Sequence, residues 1–223
     1  MRLYTIAMLD EYKDILEIFG SELKNEKYQD IQYLISKKFI IVEIGIGKIN
    51  ATFKLVAFLE YIKKTHIIDL IINVGFAGAQ GYNLYDIVKV EKARFSDFNL
   101  EIMGYLPGQM PGCEQNFLTS YNLEETFSKK DGMLFTADHF QQEKFKFSTC
   151  EKYNKYLCDM EGCAVLYVAN KYKIKCLMYK VVSDIIDEKD QEKTYSEVEE
   201  NSGSLIIKNV FLDIEALFGE RHE

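Results

Sequence analysis

Residues 175–187, reading KCLMYKVVSDIID, constrain the fold of this chain more than any other stretch. From Cys176 to Val182 the run is short, dominated by apolar and β-branched residues, and has no polar face. That pattern predicts a strand buried on both sides, within a mixed or parallel α/β sheet. The run stops at Ser183 and Asp184. Ligands in such folds collect at the carboxyl ends of strands, so an aspartate there, shielded from water beside a hydroxyl, is a candidate proton donor. Capping of the next helix or turn is the competing role for this pair.

The 223 residues suit a single domain spanning 1–223 with a sizeable core, and 48% hydrophobic with 28% charged residues is an ordinary globular balance. A net charge of -8, without a basic stripe, argues against a nucleic-acid partner. Cys113, Cys150, Cys158, Cys163 and Cys176 form an odd set without a CxxC pair, as expected of reduced thiols in a cytoplasmic protein. His66, His139 and His222 are scattered, and no zinc-type spacing occurs, so no metal site is expected. The apolar run before Asp10 and Glu11 is too short for a signal peptide, and nothing approaches the roughly 20 apolar residues of a membrane span.

Read in order, the chain alternates strands and helices. Residues 3–8 predict a strand and 10–23 a helix with acidic residues at its positive end, placing Glu11 at the handover. Two strands follow at 31–36 and 39–44 around a Lys37-Lys38 turn, then Gly45-Ile46-Gly47-Lys48 opens a largely buried helix over 50–63. An internal strand at 69–74 runs into Gly75-Phe76-Ala77-Gly78, where glycines let the backbone approach a ligand. Neither glycine cluster is a GxGxxG or GxxxxGK[ST] motif, which disfavours dinucleotide and ATP chemistry.

A long strand over 85–98 leads into an apolar loop, 99–117, which holds the chain's two prolines, Pro107 and Pro111. Such a loop either covers a pocket or packs on a second subunit. A helical stretch near 123–127, a strand over 132–137 ending in Asp138-His139-Phe140-Gln141, and a polar surface segment, 142–154, come next. A strand at 156–160 then delivers Asp159-Met160-Glu161 to a helix over 162–172, where Glu161 reads equally as cap or ligand. A charged segment, 187–193, precedes a final helix striped by Ile207, Phe211, Ile214 and Phe218.

Several strand ends thus deliver a polar or aromatic group, and their identities and order are similar to the 5'-methylthioadenosine/S-adenosylhomocysteine nucleosidases of the wider nucleoside phosphorylase family. The resemblance spans nearly the whole chain. Its most specific pieces are Ala7-Met8 with Glu11, Gly45-Ile46-Gly47-Lys48, Arg94 through Tyr105 to Gly108-Gln109-Met110-Pro111-Gly112, Asp159-Met160-Glu161-Gly162, and Ser183-Asp184.

The resemblance implies a three-layer αβα single domain with a central mixed, twisted sheet, acting without metal or organic cofactor. It implies that Asp184 is the general acid at adenine N7, oriented by Ser183, and that Glu11 holds and activates the attacking water. Glu161 would bind the ribose hydroxyls over Met160, Phe140 would stack on the purine, and Gln141 would mark where backbone atoms read the base edge. Phe76, Ala77, Gly78 and Asp159 complete the set. Met8, Ile46, Leu100, Met103, Tyr105, Pro111 and Tyr195 would enclose the 5'-alkylthio group. Residues 100–111 would cross a homodimer interface.

The chemistry fits independently. Breaking an N-glycosidic bond leaves positive charge on the sugar and negative charge on the base, so an acid is needed at one end and an anionic group or held water at the other. Carboxylates in unlike surroundings can hold different protonation states at one pH, and the reading assigns the protonated role to Asp184 and the ionised role to Glu11. A phosphorylase needs forked arginine donors near the sugar, whereas Arg2, Arg94 and Arg221 lie away from the proposed strand exits. Hydrolysis is therefore expected, with phosphorolysis, or a nucleoside-binding protein without turnover, as the alternatives.

Three positions depart from the family pattern. Phe76 stands where a serine is common, Lys180 where an arginine is common, and Asp159 where a glutamate is usual. The first two fall where water and ribose should meet, and they bear on rate and substrate preference rather than on fold.

Overall fold

The computed structural model describes residues 1–123, 128, 130–145 and 153–219. In chain order, strand β1 (Arg2–Ile6) runs through a 3₁₀ turn (Leu9–Tyr12) into helix α1 (Lys13–Phe19), followed by β2 (Lys24–Tyr28), β3 (Ile31–Ile35), β4 (Phe39–Glu43) and helix α2 (Lys48–Ile62). The second half contains β5 (Leu70–Gln80), β6 (Ile87–Phe95), β7 (Leu118–Thr119), β8 (Asp131–Thr136), β9 (Tyr156–Asp159), α3 (Gly162–Tyr172), β10 (Lys175–Ile185), α4 (Gln191–Val198) and α5 (Ser204–Gly219), with a π-turn (Glu199–Gly203) joining the last two.

These strands form one mixed sheet. β1 lies parallel to both β4 and β5, while β4, β3 and β2 continue outward as antiparallel neighbours. β5 also lies parallel to β10, which pairs antiparallel with β6; β6 and β8, then β8 and β9, are parallel, and β9 returns antiparallel to β5. The sheet is mixed and twisted as expected from sequence, and it curls until β5, β10, β6, β8 and β9 close on one another. β5 is the seam shared by the open wing and the closed ring.

Alternation along the buried strands separates two apolar layers, because successive side chains in a strand point to opposite faces. On one face, Ile71 of β5 and Cys176, Met178 and Val182 of β10 join Leu55, Phe58 and Leu59 of α2 and Val165 and Leu166 of α3. On the other, Ile72, Val74 and Phe76 of β5 and Leu177, Tyr179 and Val181 of β10 join Ile15 of α1 and Ile207, Phe211 and Ile214 of α5. Helices thus cover the sheet on both sides, in agreement with the mixed α/β fold expected from sequence.

The layer under α5 is aromatic. Phe211, fully buried, has its ring centroid 4.5 Å from Tyr4, 5.0 Å from Phe39 and 6.5 Å from Tyr12. Glu215, one turn further along α5, accepts hydrogen bonds from Arg2 Nε at 2.8 Å, Arg2 Nη2 at 2.6 Å and Tyr4 Oη at 2.7 Å. These contacts hold the C-terminal helix against β1 and against the turn that carries Glu11.

Several boundaries differ from the sequence reading. The helix expected over 10–23 is confined to α1, with the residues before it forming a 3₁₀ turn, because Gly20 follows Phe19 as the C-cap. β2 was not anticipated: its sequence KNEKY is largely exposed, and as an edge strand it carries no apolar alternation to signal it. Gly75 to Gly78 lie within β5 rather than after a strand, and Ser183 and Asp184 lie within β10 rather than capping a helix or turn. The strand expected over 85–98 is the shorter β6. Helix α2 is less buried than expected, with Ile49 80% and Phe53 60% exposed. The charged segment, 187–193, contains the start of α4, a helix not anticipated from sequence. Of the helix expected near 123–127, residues 124–127 lie outside the described residues, as do 146–152 of the expected surface segment.

Replacing Phe211 by Ala should remove the hub of the aromatic layer and cost about 3–5 kcal/mol, typical of a buried Phe→Ala change. At ~2–4 °C per kcal/mol for a chain of this size, thermal denaturation should show Tm lowered by more than ~5 °C. A shift of less than ~2 °C would show that the hub is not a stabilising contact.

Candidate active site

The β5–β10 pair builds the centre of the site. Its parallel register sets Lys180 opposite Gly75 and Asp184 opposite Gly78, with a bulge between Val182 and Asp184. A bulge re-aims the side chain beyond it, and here Asp184 is turned toward β5. A Cβ at residue 78 would sit 2.7 Å from Asp184 Oδ2, so only glycine leaves room for that carboxyl. Ser183 Oγ donates to Asp184 Oδ1 at 2.6 Å, and Gln191 Nε2 at the start of α4 donates to Oδ2 at 2.7 Å. Burial raises the Asp184 pKa above the usual carboxylate range, while the Ser183 and Gln191 donors pull it back.

At the other end, Glu11 is buried on its 3₁₀ turn, and its Oε2 has no hydrogen-bond partner. Burial pushes its pKa up to about 8, with Glu161 adding to the rise and Lys180 and the Met8 and Ala7 backbone opposing it. This favours the protonated form of Glu11 at neutral pH, unlike the ionised state assigned from sequence. A Cβ at residue 75 would lie 3.9 Å from Glu11 Oε1 and 3.8 Å from Lys180 Nζ, which places both groups beside that glycine.

Lys180 is the cation of this end. Its Nζ lies 2.8 Å from Asp159 Oδ2, with both side chains almost fully buried. Burial alone would lower the Lys180 pKa, but Asp159, Glu161 and Glu11 outweigh it and raise the value. Asp159 is held further by Thr136 Oγ1 at 2.5 Å and the Gly162 amide at 2.8 Å. Glu161, at the junction of β9 and α3, makes no side-chain cap; instead its Oε1 accepts the Gly47 amide at 2.7 Å. Burial and Asp159 raise the Glu161 pKa to about 7, against the Gly47 amide and Lys180.

Glu11, Asp159, Glu161, Ser183 and Asp184 line one cavity of about 180 Å³, with Lys180 and Gln191 behind its wall. Of the residues singled out from sequence, Ala7, Met8, Glu11, Ile46, Phe76, Ala77, Gly78, Phe140, Gln141, Asp159, Met160, Glu161, Ser183, Asp184 and Tyr195 all border it. Phe140 and Tyr195 meet edge to face, with ring centroids 5.7 Å apart. Leu100, Met103, Tyr105 and Pro111 do not border it, and Met103 is 69% exposed. Among the described residues, no group of three or more His, Cys, Asp or Glu side chains is placed to hold a metal ion.

Sequence reasoning missed His139 and Cys158 in the wall, although both sit in strand exits already singled out. It also missed Gln191, which joins Asp184 to the Gln141 carbonyl through a second bond of 2.9 Å. Nothing local marks Gln191, since its partners come from two other segments.

Two carboxyl groups on one cavity, Asp184 beside Gly78 and Glu11 beside Gly75, with Phe140 and Tyr195 in the same wall, form a set suited to cleaving a bond that separates charge. Comparison with known proteins shows the family. Residues 2–209 match the phosphorylase superfamily. A 5'-methylthioadenosine/S-adenosylhomocysteine nucleosidase of Bacillus cereus is 27% identical, the alignment covering 83% of this chain and 86% of the relative. Among solved structures, the nucleosidase of the same name from Colwellia psychrerythraea, in complex with adenine, superposes with a TM-score of 0.74 at 21% identity, covering 93% of both chains. The futalosine hydrolase of Helicobacter pylori superposes with a TM-score of 0.80 at 17% identity, covering 97% of this chain and 98% of that one. The extent of the sequence match, over the strands and helices that build the cavity, makes this chain a member of the phosphorylase superfamily.

Proposed function

We propose that this chain hydrolyses the N-glycosidic bond of 5'-methylthioadenosine, S-adenosylhomocysteine or a related 5'-modified adenosine, releasing adenine. The observation that carries the reading is that Asp184 and Glu11 border one cavity, beside Gly78 and Gly75 of the same strand. Asp184 serves as the acid at the purine. Burial raises its pKa, the direction an acid needs, and Ser183 and Gln191 fix its orientation. Phe140 stacks on the base, as its place in the wall beside Tyr195 allows.

Glu161 takes the ribose hydroxyls and Met160 underlies the sugar. Glu11 holds the water and accepts its proton as positive charge grows on the ribose, a charge that itself favours the ionised carboxylate. Lys180 tempers the repulsion among Glu11, Glu161 and Asp159. Water suits this site better than phosphate: among the described residues no arginine borders the cavity, and Lys180 is already paired with Asp159. A second copy of the chain completes the 5' end, supplying Leu100, Met103, Tyr105 and Pro111. The exposure of Ile102 at 98% and Met103 at 69% supports that role for the loop.

Incubation with several 5'-substituted adenosines, followed chromatographically, should release free adenine with or without phosphate. A requirement for phosphate, with ribose 1-phosphate formed, would point to phosphorolysis, and nucleoside binding without adenine release would point to a binding protein. Asp184→Asn should lower turnover by about 10²–10⁴-fold, the usual worth of acid catalysis, while nucleoside still binds. Full activity in that variant would remove Asp184 from its role.

The Glu11 pKa of about 8 links activity and stability in opposite senses. The acidic limb of kcat/KM should rise as pH passes through about 8, as Glu11 ionises. Because its folded pKa lies above the unfolded value, Glu11 favours the native state at low pH, and that contribution is lost as pH rises from about 4.5 to about 8. Glu11→Gln should therefore lose activity yet melt several degrees higher than the parent at pH 8.5, with a flatter dependence of Tm on pH. Parallel Tm curves for the two proteins would contradict this linkage.

A further inference from the structure

Phe76 departs from the serine usual in the family, and the structure shows where its ring lies. It belongs to the apolar layer under α5 and also forms part of the cavity wall. Its outer edge rests on Gly203, the last residue of the π-turn between α4 and α5. A Cβ at residue 203 would stand 2.3 Å from Phe76 Cζ and 3.0 Å from Cε1, far inside contact distance. Gly203 is not among the glycines with positive φ, so what the position requires is space rather than an unusual backbone conformation.

The ring also faces the cavity, whose wall it shares with Tyr195 of α4, a side chain packed against the same apolar layer. Glu11 and Lys180 lie beside Gly75, whose Cβ direction alternates with that of Phe76, so the ring belongs to the opposite face of β5 from those two groups. It is held between a glycine that leaves it room and the part of the cavity beside Tyr195.

We infer that Phe76 and Gly203 act as a pair that sets the width of the cavity beside Tyr195, where the proposed reading puts the 5' substituent: Phe76 as the specificity-determining wall, and Gly203 as the positioning residue that keeps its ring out of the substrate's space. The pair would discriminate among 5'-modified nucleosides while leaving the adenine subsite unaffected. This rests on the proposed nucleosidase reading and adds to it the residues that select the 5' substituent.

The test compares wild type, Gly203→Ala, Phe76→Ala and the double variant, measuring KM and kcat for 5'-methylthioadenosine and S-adenosylhomocysteine, with adenine affinity by calorimetry. Gly203→Ala drives the ring inward and should raise both KM values about tenfold or more, as misfitting groups in a pocket commonly do, with adenine affinity within about twofold of wild type. Phe76→Ala should change the ratio of kcat/KM between the two nucleosides by about tenfold. The double variant should recover most of the KM lost in Gly203→Ala, because the clashing ring is gone.

Unchanged KM values in Gly203→Ala, equal weakening of adenine and nucleosides, or no recovery in the double variant would each overturn the inference. If Gly203→Ala does not fold, the Phe76→Ala ratio decides, and an unaltered ratio overturns it. If wild type releases no adenine from any nucleoside, the nucleosidase reading fails by itself. The pair is then judged by nucleoside and adenine affinities in the same four proteins.

Discussion

The parallel pairing of β5 with β10 is the constraint on which the rest of the molecule depends. It joins the open wing of the sheet to the closed ring, and its alternating side chains feed the apolar layers on both faces. Its register also fixes the chemistry, because Lys180 meets Gly75 and Asp184 meets Gly78 only in this alignment. A slip of one residue would send Leu177, Tyr179 and Val181 to the wrong layer. The hydrophobic pattern that stabilises the fold is therefore the same pattern that holds the acid in place. The bulge before Asp184 is the single local departure, and it falls at the residue whose direction matters most.

Around that pair, the site concentrates charge where water is scarce. Glu11, Asp159 and Glu161 share one buried cation, Lys180, and repel one another. Asp159 is satisfied by Lys180, Thr136 and the Gly162 amide, and one oxygen of Glu161 by the Gly47 amide, whereas Glu11 retains a buried, unpartnered oxygen. A buried carboxylate oxygen without a partner has something left to bind. That contrast separates Glu11 from its neighbours more sharply than its pKa does. Glu161, at the N-cap position of α3, makes no side-chain cap there.

Much of the site could be read from the chain because strand exits announce themselves. Ser183-Asp184 after a buried run, Asp159-Met160-Glu161 before a helix and Phe140-Gln141 after β8 all border the cavity. The residues that escaped notice did so for physical reasons. Gln191 is marked by no local pattern, because its significance is a bond to Asp184 across the turn between β10 and α4. β2 has no buried face to impose a period. The closure of the ring depends on β9 and β6 finding partners far away in sequence, which no window of local residues records.

Side-chain pattern carries the alternation of strands and helices, the apolar faces that make a mixed sheet covered on both sides, and which strand ends bear polar groups. These follow from periodicity and local backbone preference, which act within a few residues. That Glu11 and Asp184 open onto one cavity, that burial favours a proton on Glu11, and that the Phe76 ring rests against Gly203 are products of the assembled fold. Each of these depends on which groups exclude water from one another, and that is set by chain segments that become neighbours only when the sheet assembles.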